Sequence, residues 1–236
     1  MAFKDRLSPL AKRRVDVFFA NRRAKWSLCF FCALFFVTLF ADLVANDKPL
    51  IVQHDGALYF PVFNAYPETT FGGDFETEAD YKDPFVVELI EEKGWLLWPP
   101  IPFSYDTHIA DLETPAPSEP TSRNLLGTDD QARDVLARVI YGFRVSVLFA
   151  LALTLGSSAI GILVGALQGY FGGKLDLFGQ RFLEIWSGLP ELYLLIIISS
   201  IITPNVYWLL LIMLLFSWTR LVDLVRAEVL RVRNFE

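Results

Sequence analysis

The chain has 236 residues, of which 53% are hydrophobic and 20% charged, with a mean hydropathy of +0.39; this balance belongs to membrane proteins rather than to one or two soluble domains. Its 27 acidic and 21 basic residues give a net charge of −6, which argues against a surface built to neutralise phosphates and so against nucleic acid as a partner. Two cysteines, Cys29 and Cys32, and two histidines, His54 and His108, are too few and too scattered for a disulfide framework or a four-ligand zinc site.

Residues 1–26 hold eight cations (Lys4, Arg6, Lys12, Arg13, Arg14, Arg22, Arg23 and Lys25). Ser8-Pro9 marks a helix start, and Leu10, Val15, Val17, Phe18 and Phe19 mixed among the charges give an amphipathic helix lying on the inner leaflet and leading by an elbow into a span. That first span is expected over residues 27–45, broken only by Asp42; at 1.5 Å per residue it reaches roughly 28 Å, enough to cross a bilayer. A signal peptide has the same polarity, but the basic region is too long and no A-x-A-like site follows, so the segment reads as an anchor. Cys29-Phe-Phe-Cys32 within it reads as small apolar packing groups rather than a redox pair.

Residues 46–124 carry 15 acidic and 4 basic side chains, a local charge of −11, and are too polar to insert. They are expected to form an extracytoplasmic insert. Asp55-Gly56 between two apolar runs predicts a two-residue hairpin, residues 85–93 a short helix, and Pro115-Ala-Pro-Ser-Glu-Pro120 a spacer. The acidity solvates the surface first and steers a basic partner second. In residues 125–144, Thr128 with Gln131 reads as a capping box, Asp129 and Asp130 sit at the positive end of the dipole, and Gly142 is placed as a stop. An interfacial helix is the expectation there.

Three further spans follow: residues 145–169 without a charge, residues 183–202 interrupted by Glu184, Pro190 and Glu191, and residues 205–218 after a Thr203-Pro204-Asn205 turn. With four crossings and a cytoplasmic amino terminus, 14 cations fall inside and 7 outside, as the positive-inside rule asks. Arg133, Arg138 and Arg144 fall on the outer side, offset by Asp129, Asp130 and Asp134.

Two faces carry polar groups into these spans. Thr154, Ser157, Ser158, Gly161, Gly165 and Gln168 recur at three- and four-residue steps, and Gly161, Gly165 and Gly169 permit another helix to approach closely. Glu184, Gly188, Glu191, Leu195 and Ser199 share one face of the third span, where an ionised carboxylate costs roughly 2.5 to 3.5 kcal/mol unless it faces protein or water. Glu191, Glu184, Ser199, Thr154, Ser158 and Gln168 are therefore the candidate substrate-path residues, and the three glycines candidate helix-packing positions. Pairing to a neighbouring helix, or protonation, is the competing account of Glu191. The sequence holds no nucleophile and base set, and Gly172-Gly173 lacks the rest of a phosphate loop.

LLGTDDQARDVLARVIYGFRVSVLFAL resembles the LGTDxxGRDVLSRLIYGxRxSL signature of the dipeptide and oligopeptide ABC importer permeases, with Ala132 in place of a glycine that a helix interior should replace without loss. GYFGGKLDLFGQRFLEIWSGLP and FSWTRLVDLVRAEVLRVRNFE match the stretches that follow. The insert, through ANDKPLIVQHDGALYFPVF, TTFGGDF, ADYKDPF and GWLLWPPI, is similar to the Yej-type branch, which carries microcin C and peptides. The resemblance implies an all-α polytopic membrane protein, the N-terminal part of a type I ABC importer transmembrane domain, with a small mixed extracytoplasmic insert. It also implies a bacterial inner-membrane location and four kinds of neighbour: a homologous second permease, ABC ATPase subunits, a periplasmic peptide-binding protein and the lipid bilayer. No cofactor is expected on this chain, ATP and magnesium belonging to the ATPase subunits. The EAA loop and two more helices would come after Glu236, so the chain is expected to be truncated, and no ATPase contact is assigned. The alternative function is a membrane-anchored scaffold or receptor whose acidic insert binds a partner.

Overall fold

The structure, a computed structural model, describes residues 8–112, 114–203 and 205–233; the expectations for Lys4, Arg6, Leu7 and Pro204 lie outside them. Nine α-helices and three β-strands are formed among these residues, in two compact units divided between Val145 and Ser146.

The first unit opens with α1, Pro9–Ala20, capped by the Ser8 hydroxyl, which accepts from the Ala11 amide at 3.3 Å. The elbow falls at Asn21, whose side chain caps α2, Arg22–Leu39. The helix that carries most of the expected first span starts before residue 27, with Arg22, Arg23 and Lys25 in its first turns, and it is not among those long and apolar enough to cross a membrane. It ends at Phe40, and the separate α3, Ala41–Val44, follows. Asp42 accounts for that break. Its carboxylate takes hydrogen bonds from the Tyr141 hydroxyl at 2.9 Å and from Arg144 at 2.7 Å, and the same hydroxyl lies 2.8 Å from the Ala45 carbonyl. Ala41, Ala45, Phe103, Ile109, Ala137 and Tyr141 close a small core around these contacts.

The insert is built on a three-stranded antiparallel sheet in the order β2-β1-β3, with β1 at Ile51–His54, β2 at Ala57–Tyr59 and β3 at Gly94–Leu97. Asp55 and Gly56 take φ of +49° and +82°, the doubly left-handed turn that matches strand twist. A 3-10 turn over Glu68–Phe71 and α4, Pro84–Glu91, cover one face, burying Val52, Phe71, Tyr81, Val86 and Ile90. Burial pushes the Tyr81 hydroxyl well above its ordinary range. Lys82 donates to the Pro102 carbonyl at 2.5 Å and lies 4.4 Å above the Trp98 ring and 4.9 Å above Phe103. Burial, with Arg123 nearby, lowers its pKa.

Residues 125–134 do not form the expected interfacial helix. They make a turn centred on Asp129, and one helix, α5, runs from Val135 to Phe171 straight through Gly142. The capping box is absent because Thr128 Oγ accepts from the Ser118 amide at 2.9 Å. The cap comes instead from Asp134, fully buried, which accepts from the Ala137 amide at 2.7 Å and from Asn124 at 2.8 Å. Asp129 receives the side chains of both Arg133 and Arg138 and the amides of Gln131 and Arg133. Arg144 turns to Asp42 rather than to the acids of this turn. Ala132 has a φ of +59°, so the expectation that a helix interior would accept it in place of glycine is wrong: it occupies a left-handed turn position, where a Cβ is strained.

In the second unit α5 continues to Phe171. Gly172 and Gly173, at φ of +60° and +56°, reverse the chain into α6, Gly173–Ser187. The third span expected over residues 183–202 is not one helix. α6 stops before Gly188, and α7, Glu191–Ile201, starts at a bend of 66°. α8, Val206–Ser217, and α9, Thr219–Arg233, follow almost without interruption. Among the described residues two helices are long and apolar enough to cross a membrane, α5 with 37 residues and the combined α8 and α9 with 28; α6 and α7 make a third if taken as one broken span.

Ala132→Gly is expected to raise resistance to thermal unfolding in detergent by up to about 1 kcal/mol, the left-handed strain relieved less the entropy of the glycine. In the same turn Asp129→Ala should lower it by about 1 to 3 kcal/mol by leaving arginines and amides unpaired. Burial acts to raise the Asp129 pKa, but the hydrogen bonds from Arg133, Gln131 and Arg138 outweigh it and hold the carboxyl far below the usual carboxylate range. Its contribution is therefore complete above the unfolded carboxylate value and lost only as pH falls through the depressed folded one, an order that unfolding followed along an acid titration checks.

Candidate functional site

The residues singled out on the spans gather in the second unit, and they separate into a seam, a clamp and a break. The seam is glycine. A Cβ at Gly161 would stand 2.7 Å from the Trp218 carbonyl oxygen, one at Gly165 2.7 Å from that of Val222, and one at Gly169 2.9 Å from that of Arg226. The backbone of the α8 and α9 helix therefore lies directly on α5, with Leu221, Val225 and Val229 filling the spaces between. In lipid such close approach replaces the hydrophobic drive that water supplies.

The clamp lies toward the end of α5 and joins three helices. Gln168 is buried, and its Oε1 accepts from Gln180 Nε2 of α6 at 3.0 Å; that same nitrogen lies 3.3 Å from Asp223 Oδ1 of α9. Immediately before Gln180, Gly179 leaves room for the Gln168 amide. Asp176 of α6 and Arg226 of α9 complete the clamp as a two-toothed ion pair, Arg226 Nη2 standing 2.6 Å from Asp176 Oδ2. Trp186 adds a third tie, its indole donating to the Leu215 carbonyl at 2.9 Å while its ring stacks between Phe182 and Phe216. Gln180, Asp176, Arg226 and Trp186 were not among the sequence candidates. The signal was available: Asp176 and Arg226 stand on strongly amphipathic helices, where an unbalanced charge needs an opposite one.

The break runs from Gly188 to Pro190 between α6 and α7. It separates the face expected to unite Glu184, Gly188, Glu191, Leu195 and Ser199. Glu184 stays on α6, exposed, and pairs with Arg181 at 2.5 Å. Gly188 ends α6, its amide still donating to the Glu184 carbonyl. Glu191 is the first residue of α7, half-buried, where the helix dipole favours a carboxylate; it makes no hydrogen bond or ion pair with any described residue. Ser199 returns its hydroxyl to the Ile196 carbonyl at 2.9 Å. On α5, Thr154 is exposed and Ser158 half-buried. The path candidates thus do not line one surface: Gln168 is consumed in the clamp, Glu184 and Ser199 are satisfied locally, and Glu191 stands at the broken backbone.

Residues 157–236 match the family model described as the binding-protein-dependent transport system inner membrane component. Over 231 residues, 98% of the chain, the sequence is 52% identical to the inner membrane ABC transporter permease protein YejE of Escherichia coli, covering 68% of that protein. It is 48% identical to the peptidoglycan transport system permease protein YejE of Agrobacterium fabrum over 97% of the chain and 66% of the relative. The oligopeptide transport system permease protein OppC of Haemophilus influenzae matches 64% of the chain at 31% identity, over 47% of its own length. The chain thus spans about two thirds of the length of the Yej relatives it matches.

Gly165→Ala should cost about 1 to 3 kcal/mol of resistance to unfolding, since a methyl group must push the Val222 carbonyl away. Gly142→Ala, in the same helix but with no atom within 4 Å of its new Cβ, should instead gain about 0.5 to 1 kcal/mol. Thermal unfolding of both variants in detergent separates seam from helix propensity, and equal effects would refute the seam.

Proposed function

Because this chain belongs to the Yej-type ABC transporter permeases of the inner membrane, we propose that it forms one wall of the passage through which an importer brings peptides or peptide-like compounds, of the microcin C kind, into the cytoplasm. The carrying observation is the likeness over nearly the whole chain, insert included, to permeases of this branch. The role of the Agrobacterium relative in peptidoglycan transport widens the proposed cargo to peptide-bearing wall fragments. A scaffold with spans that merely anchor it is not favoured.

The wall has two parts with different tasks. The seam and clamp hold α5, α6 and the α8 and α9 helix as one rigid body. The break between α6 and α7 is the part that cannot face lipid, because backbone outside a helix at membrane depth is tolerated only against protein or beside water. Interrupted helices in transporters commonly stand at the cargo route for that reason. Glu191, at the positive end of α7, is the polar group such a route would present. The excess of Arg and Lys in residues 1–26 and in α9 supports a cytoplasmic side for both. In this reading a second, homologous permease closes the passage, a peptide-binding protein delivers cargo from the outside, and ATPase subunits holding ATP and magnesium drive the alternation.

Glu191→Leu in the full-length permease, assembled with its partners in proteoliposomes, should lower peptide uptake several-fold without reducing the yield of assembled complex. Unchanged uptake removes Glu191 from the route.

A further inference from the structure

One face of the insert's sheet is uncovered. Strand alternation sends Val52, His54, Tyr59 and Leu96 toward α4 and the 3-10 turn, so Ile51 and Gln53 of β1, Leu58 of β2, and Trp95 and Leu97 of β3 point the other way. The register sets Leu58 and Trp95 on either side of Gln53, and Leu97 opposite Ile51. An antiparallel sheet with one wet face ordinarily places polar residues there. Here Leu58, Trp95 and Leu97 are 58%, 48% and 47% exposed. A contiguous apolar face of this sort marks an interaction surface.

Charge decides what fits it. The insert has four cations, and each is engaged within the insert: Lys48 with Glu78, Lys93 with Asp55, Arg123 with Asp111, and Lys82 with the Pro102 carbonyl and the Trp98 ring. Three carboxylates are neutralised in this way, and the large remainder of the 15 leaves the insert as a whole strongly negative. An anionic leaflet is repelled by that charge, and so is a second copy of the same insert. A protein whose apolar patch is ringed by lysine and arginine is attracted.

We propose that the Leu58, Gln53, Trp95 and Leu97 face docks a basic-rimmed soluble protein, and, resting on the importer reading, that this protein is the peptide-binding partner delivering cargo. Trp95 is the anchor, since a half-exposed indole on a rigid strand brings large contact area at small entropic cost.

The test uses the full-length permease complex in neutral-lipid nanodiscs, with the importer's own peptide-binding protein as the probe. Surface plasmon resonance should show Trp95→Ser and Leu97→Ser each weakening docking about tenfold or more, as for interface anchors, with affinity falling as salt rises. Phe75→Ser, exposed but off the sheet, should leave it unchanged. Gln53→Arg, which adds a cation to the centre of the face without removing any packing group, should weaken docking as well. Hydroxyl-radical footprinting should find Trp95 reactive in the complex alone and protected once the binding protein is added. Absent wild-type docking, unchanged affinity in both serine variants, or a Trp95 already protected by lipid or a neighbouring subunit overturns the proposal. Peptide uptake by the wild-type complex is measured alongside. Docking that depends on Trp95 without any uptake would sink the importer reading and keep the face, whereas uptake with docking indifferent to Trp95 would do the reverse.

Discussion

A helix in lipid gains nothing by burying leucine against another helix's leucine, because the acyl chains already offer the same surroundings. The second unit is therefore organised by what lipid cannot supply: close backbone approach and satisfied polar groups. Gly161, Gly165 and Gly169 let the α8 and α9 backbone settle on α5, and this fixes the distance at which Gln168, Gln180 and Asp223 can meet. The Asp176 and Arg226 pair then sets the position of α6 along that seam. Remove the glycines and the clamp has no reason to close.

The polar insert of the first unit and the helix ends around it obey the rules of water. The unit's two cores are small, and the one around Ala41, Phe103 and Tyr141 is pinned by polar contacts between distant parts of the chain: Tyr141 and Arg144 to Asp42, Asn124 to Asp134. These contacts tie the end of the first apolar helix and the last loop of the insert to the start of α5. The insert is thereby held at both of its ends by the same helix. Its sheet presents a patch from a fixed base rather than from a tether, which is the condition under which an exposed indole can serve as an anchor.

Patterns that depend on neighbouring residues were legible in the sequence. Asp55-Gly56 made the hairpin turn because few other pairs tolerate positive φ twice, and Ser8-Pro9 started α1 because capping is a three-residue affair. Patterns that depend on distant residues were not. Thr128 and Gln131 have the spacing of a capping box, yet Thr128 is taken by Ser118 and the cap passes to Asp134. Gly142 has the look of a stop, but a stop needs a chain that turns there, and α5 runs on through it to Phe171. The β3 strand is four residues long, Gly94–Leu97, and is a strand only because β1 offers it a ladder. Family likeness was readable for a different reason, since long ordered matches survive any local misjudgement of helix ends.

The polar residues of the spans show why composition of a face does not tell lining from packing. Gln168 and Glu191 are equally conspicuous in an apolar run, but the amide has a donor within reach on α6 and the carboxylate has none among the described residues. An amide with a partner is a tie between helices. An ionised carboxylate without one would cost roughly 2.5 to 3.5 kcal/mol at the bilayer centre, and it is tolerated where the helix dipole faces it and water can reach it. α7 supplies the dipole, and the interruption at Gly188 to Pro190 is itself a place that lipid must avoid. The two requirements, water for the charge and shelter for the backbone, are what the proposed place of the start of α7 beside the cargo route would meet together.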